Sequence, residues 1–172
     1  MKHLYLLRHA KARAGEDGQG DHARRLTGRG RRAADEIGEF LAEHGETPDL
    51  ALCSSSERTR ETLERVLDRL PEKPRVVVET DLYLAGCESL LARLRALPDE
   101  IERVLLVGHH PGIADLAELL ATDGPRELRK RLAEKFPTAA LAILGIPHGR
   151  WRDAGPGARL EAFVLPRELE KA

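Results

Sequence analysis

Apolar residues in this chain fall in short unbroken runs. Residues 4–7 (Leu-Tyr-Leu-Leu), 50–53 (Leu-Ala-Leu-Cys) and 104–107 (Val-Leu-Leu-Val) contain no polar residue. A strand with one face in water alternates apolar and polar side chains; a strand buried on both faces reads as a continuous run. Such strands belong to a parallel sheet covered by helices on each side. The β-branched segment at 75–79 adds a further strand. Helical patterns fill the intervals. One is expected over about residues 28–44, with Thr27 as N-cap, Gly45 beyond its end, and Ala34, Ile37 and Leu41 at helical spacing. A second follows the cap supplied by Ser54, Ser55 and Ser56 and runs to about residue 70. A third spans 88–97, and a fourth begins at Pro111. The charged segment 126–135 is expected to be helical, and the apolar stretches 139–146 and 160–165 to form the last strands. Strands alternating with helices predict an α/β fold: a three-layer sandwich with a mostly parallel central sheet and helices on both faces. The Gly/Pro-rich stretch 147–157 reads as a loop between strands, so residues 1–172 are expected to form a single domain.

The charges almost cancel, with 28 basic and 29 acidic residues and a formal net charge of −1. That balance argues against a general nucleic-acid binder, which carries a large positive excess, while leaving room for a local basic pocket. Two cysteines, Cys53 and Cys87, make neither a disulfide framework nor a zinc site, and they read as small buried hydrophobes. The apolar N-terminal run is too short for a signal peptide, and no stretch approaches the length of a membrane helix. A cytoplasmic protein with no membrane association is the expectation.

The chemistry-bearing residues fall at one kind of place. Arg8-His9 follows the first strand, Ser54 to Arg58 the second, and His109-His110 the fourth. In open α/β sheets, ligands bind at the C-terminal ends of the strands. Arginine forks and histidines converging there describe an anion site, to which a helix starting after Ser55 adds backbone donors.

The strings LYLLRHAKA, DHARRLTGRG, CSSSERTRET and VGHHPG, in that order along the chain, resemble the motifs of the histidine phosphatase superfamily, and specifically those of its small, SixA-like phosphohistidine phosphatase branch. The string LYLLRHAKA resembles the first motif, with Ala10 where the wider superfamily has Gly. DHARRLTGRG resembles the second, with Arg25 where Pro is common. CSSSERTRET resembles the third, with Ser55 in place of Pro and Glu61 in place of Gln. VGHHPG resembles the second-histidine motif, with His110 at an Asn position. The resemblance covers nearly the whole chain and implies a phosphoglycerate mutase-like fold and catalysis without a metal or other cofactor. It implies that His9 is a covalent nucleophile and that Arg8, Arg58 and His109 hold the phosphoryl oxygens. Arg24 is implied as a further phosphate ligand, with His110 and Ser55 beside the substrate. Partners would be a phosphoprotein, such as a histidine-phosphotransfer domain, or a small phosphorylated molecule.

Other readings remain beside this one. A phosphoester phosphatase or a mutase-like enzyme of the same superfamily is the near alternative. A non-catalytic module would bind phosphate through Arg8, Arg24 and Arg58 without turnover. A metal hydrolase is disfavoured, because the seven histidines include no His-Glu-x-x-His and no zinc spacing with cysteine. Larger superfamily members protonate the leaving oxygen with a carboxylic acid. Glu79, Asp81 and Glu88 lie near the correct edge, and none sits in a motif that assigns it this role.

Overall fold

The computed structural model describes residues 1–16, 18–147 and 149–166. Six strands form one sheet: β1 (Lys2–Arg8), β2 (Leu50–Ser54), β3 (Arg75–Glu79), β4 (Arg103–Gly108), β5 (Leu141–Ile146) and β6 (Arg159–Val164). Their order is β3-β2-β4-β1-β5-β6. The first four pair in parallel, while β5 runs antiparallel to both β1 and β6. Helices α1 (Gly28–Glu43) and α2 (Glu57–Asp68) cover one face. Helices α3 (Cys87–Arg95), α4 (Gly112–Leu120) and α5 (Arg126–Glu134) cover the other.

The unbroken apolar runs are buried on both sides, as the pattern requires. In β1, Leu4 and Leu6 join the core beneath α3 and α4, while Tyr5 and Leu7 face α1 and α2. Thr27 caps α1 by accepting a hydrogen bond from the Gly30 amide at 3.0 Å. Ala34, Ile37 and Leu41 form the buried stripe of that helix. Ser56, the last of the three serines, is the cap residue of α2.

Two details depart from the sequence pattern. Strand β3 lies at the sheet edge, so Val76 and Val78 are exposed despite their β-branched character. The stretch at 147–157 is more than a connection: Trp151 is fully buried in it, and its indole N–H donates to the Ile101 carbonyl at 2.6 Å. No helix among the described residues is long and apolar enough to cross a membrane.

Candidate active site

Strand order assembles the site. Because β1 and β4 are parallel neighbours in register Arg8↔Gly108, the residues after them leave the sheet side by side. The His9 amide donates to the Gly108 carbonyl at 3.1 Å, and the rings of His9 and His109 lie 5.6 Å apart between centroids. Strand β2 pairs with β4 on its other side, which brings Ser54 next to His109. The first turn of α2 then places Arg58 behind that pair, with only 3% of its surface exposed.

The hydrogen bonds fix the tautomers. His9 Nδ1 is 2.7 Å from the Ala10 carbonyl. A carbonyl can only accept, so Nδ1 carries the proton and Nε2 keeps its lone pair. His109 Nδ1 faces Arg58 Nη2 at 3.4 Å, and its Nε2 lies 2.7 Å from Ser54 Oγ. A guanidinium can only donate, so the His109 proton sits on Nε2, pointing to Ser54. Both rings are held neutral. Burial pushes the His9 pKa down to about 4, and the charges of Arg58, Arg8 and Arg24 add to the effect. Burial, then Arg58, then His9 bring His109 down to about 3. For His9, desolvation outweighs the neighbouring arginines as the cause.

The arginines are anchored, and two donors are left over. Arg8 Nη1 donates to the Phe136 carbonyl at 2.8 Å. Arg58 donates through Nη1 to the Asp21 carbonyl at 2.8 Å and through Nη2 to Asp21 Oδ2 at 3.0 Å. The Nε atoms of Arg8 and Arg58 are buried and have no hydrogen-bond partner among the described residues. A buried guanidinium N–H without an acceptor is costly, and an anion relieves that cost.

Asp21 organises this cluster, a role that the sequence motifs did not assign to it. It opens a single 3-10 turn, Asp21–Ala23, and its carboxylate also accepts from Arg24 Nη1 at 2.9 Å and from the Tyr83 hydroxyl. The Tyr83 bond, with those of Arg24 and Arg58, holds its pKa well below the usual carboxylate range, against the opposing effect of burial. The Asp21-x-x-Arg24 spacing was the available signal. Tyr83 stands edge-on to His109 at 5.4 Å and to His22 at 4.8 Å, forming an aromatic wall. Ser54, at the end of β2 among the chemistry-bearing residues of the sequence, is the partner of His109 Nε2.

The remaining expected residues lie further out. Arg24 donates through Nε to the Arg13 carbonyl at 2.7 Å and reaches the cluster through Asp21. Ser55 Oγ is bonded to His22 Nε2 at 2.8 Å, and His110 is exposed. Glu79 pairs with Arg93 at 2.6 Å, while Asp81 and Glu88 are exposed. No group of acidic, histidine or cysteine side chains among the described residues is arranged to hold a metal ion.

Residues 4–83 match the model of the histidine phosphatase superfamily (branch 1). An uncharacterised protein of Mycobacterium tuberculosis is 35% identical over 164 residues, covering 94% of this chain and 100% of the relative. The chain belongs to the histidine phosphatase superfamily. Within it, the solved structure of a candidate phosphohistidine phosphatase SixA from Nakamurella multipartitia is similar at a TM-score of 0.83 and 31% identity, over 96% of each chain. A second candidate phosphohistidine phosphatase SixA, from Agrobacterium tumefaciens, has a TM-score of 0.80 and 30% identity, over 96% of this chain and 98% of that one. The phosphoglycerate mutase-like fold expected of a histidine phosphatase is therefore the fold of this chain.

Proposed function

We propose that the protein is a metal-independent phosphatase that works through a phosphohistidine intermediate on His9 and acts on phosphohistidine in proteins. The observation that carries this reading is the pair of neutral histidines, with His9 Nε2 unprotonated, beside Arg8 and Arg58, whose buried Nε donors have no partner among the described residues.

His9 Nε2 attacks phosphorus, and the bond from phosphorus to the leaving atom breaks with its electron pair going to the leaving group. Attack turns the His9 ring into a phosphorylated imidazolium. The Nδ1–H···O bond to Ala10 strengthens as that positive charge develops, so it favours the transition state over the ground state. Arg8 and Arg58 carry the phosphoryl oxygens, with Arg24 at the rim. His109 is neutral only because of burial and neighbouring cations; a bound dianion reverses that balance and lets Nδ1 take a proton and donate it to an oxygen. Water then attacks phosphorus, the P–Nε2 bond returns its pair to His9, and inorganic phosphate leaves. Positioning and electrostatics supply most of the acceleration.

The carboxylates support this substrate class. Asp21 is held ionised, Glu79 is tied to Arg93, and Asp81 and Glu88 point to solvent. None is placed to give a proton to a leaving alkoxide. An imidazole leaving group makes far smaller demands, since its conjugate acid has a pKa of about 6.5. Similarity to SixA structures supports the same choice.

Turnover of an aryl phosphate, with and without chelator, tests the reading together with acid-labile ³²P labelling. His9→Ala should lower the rate by roughly 10³-fold or more and abolish labelling, with chelator without effect. Near-native turnover by a folded His9→Ala protein would remove His9 from its role.

A further inference from the structure

Positive charge is concentrated at one end of this near-neutral chain. The first 32 residues hold nine Lys and Arg against three Asp and Glu, while the whole chain carries 28 against 29. Four of those nine, Lys11, Arg13, Arg29 and Arg32, are exposed and make no ion pair among the described residues. Two of them sit in the first turns of α1, which carry no acidic residue. Cations there oppose the helix dipole, an arrangement that an acidic partner would compensate.

The patch borders the candidate active site. Lys11 is two residues past His9, and its carbonyl accepts from the Thr27 amide at 3.0 Å. Arg13 and Arg25 are joined through their backbones at 2.8 Å, and the Arg13 carbonyl anchors Arg24. Between Lys11 and Arg29 opens a cleft of about 270 Å³, lined by Thr138 and by the apolar side chains of Ala33, Pro137, Leu165 and Pro166. The chain beyond Pro137 touches the His9 turn directly, since the Ala139 amide donates to the His9 carbonyl at 3.0 Å.

We propose that the Lys11–Arg29–Arg32 surface, with its apolar cleft, is the docking face for an acidic protein that presents its phosphorylated side chain to His9. This rests on the phosphatase reading for the presence of a phosphoryl group. A protein fits the surface better than a nucleic acid does. The floor between the cations is aliphatic, without the aromatic platforms on which bases stack. The basic strip is also interrupted: Glu61, Glu64 and Asp68 line the neighbouring cleft with Arg25 and Arg31. An acidic patch around an apolar side chain matches both features, and opposite charge at a rim raises association rate and partner discrimination.

The test compares wild type with Lys11→Glu/Arg29→Glu/Arg32→Glu on three substrates: a phosphorylated acidic histidine-phosphotransfer domain, free phosphohistidine and p-nitrophenyl phosphate. For the domain, kcat/KM should fall about tenfold or more, mainly through KM, and wild type should show a comparable loss as salt is raised. The two small substrates should change by less than about threefold. A drop shared equally by all three substrates, or no drop for the domain, overturns the proposal and leaves the phosphatase reading standing. Titration of the unphosphorylated domain reads docking without turnover, so absence of catalysis tests the phosphatase reading alone. Tighter binding of a single-stranded oligonucleotide than of the domain also overturns the proposal.

Discussion

Acidification should destabilise the protein through His9 and His109, the two histidines of the candidate active site. An unfolded histidine has a pKa of about 6.5, whereas His9 is held near 4 and His109 near 3. As pH falls through 6.5 the unfolded chain takes up protons that the folded chain refuses. Stability is therefore full above that value and declines until the folded pKa values are reached. Between pH 8 and pH 5 each histidine costs ~2 kcal/mol, and the pair ~4 kcal/mol. The measurement is urea unfolding at both pH values for wild type and for His9→Gln, His109→Gln and the double variant. The exposed histidines and the carboxylates are common to all four proteins and cancel in the comparison. The depressed pKa of Asp21 acts only at lower pH. Each single variant should lose about half of the extra pH dependence, and the double variant nearly all of it. Identical pH dependence in wild type and double variant would refute the assignment of neutral, buried rings. The same neutrality predicts that protonation of His9 does not limit kcat/KM until the pH approaches 4.

Three further outcomes follow from particular contacts. Asp21→Asn should lower kcat about tenfold or more with a smaller change in KM, because Arg58 loses a charge-assisted anchor; unchanged kcat in steady-state assays would show that Asp21 does not position it. Gly30→Ala should destabilise by ~1–3 kcal/mol in denaturant melts, since its Cβ would stand 2.2 Å from the Lys11 carbonyl oxygen in the loop that follows His9; wild-type stability would mean that this loop yields freely. Glu79→Gln and Asp81→Asn should each change aryl-phosphate turnover by less than about threefold, and collapse in either would identify a general acid.

Much of this protein is legible in its sequence. Continuous apolar runs specify strands buried on both faces, because only an unalternating run satisfies two cores at once. Thr27, Ser56 and Pro111 mark helix starts through local hydrogen-bonding and φ preferences. The motifs after β1, β2 and β4 named His9, Arg58 and His109, because parallel strands expose their C-terminal ends at a common edge. The tertiary structure decided what local pattern does not encode. The order β2-β4-β1 brings three distant loops together, and that order depends on crossovers rather than on any one segment. Asp21 and Tyr83 gain their roles only there: a carboxylate in a polar loop and a tyrosine past a strand read as solvated until folding places both against Arg58. The neutrality of the two histidines likewise has no sequence signal, because burial is its largest cause, and burial is a property of the folded chain.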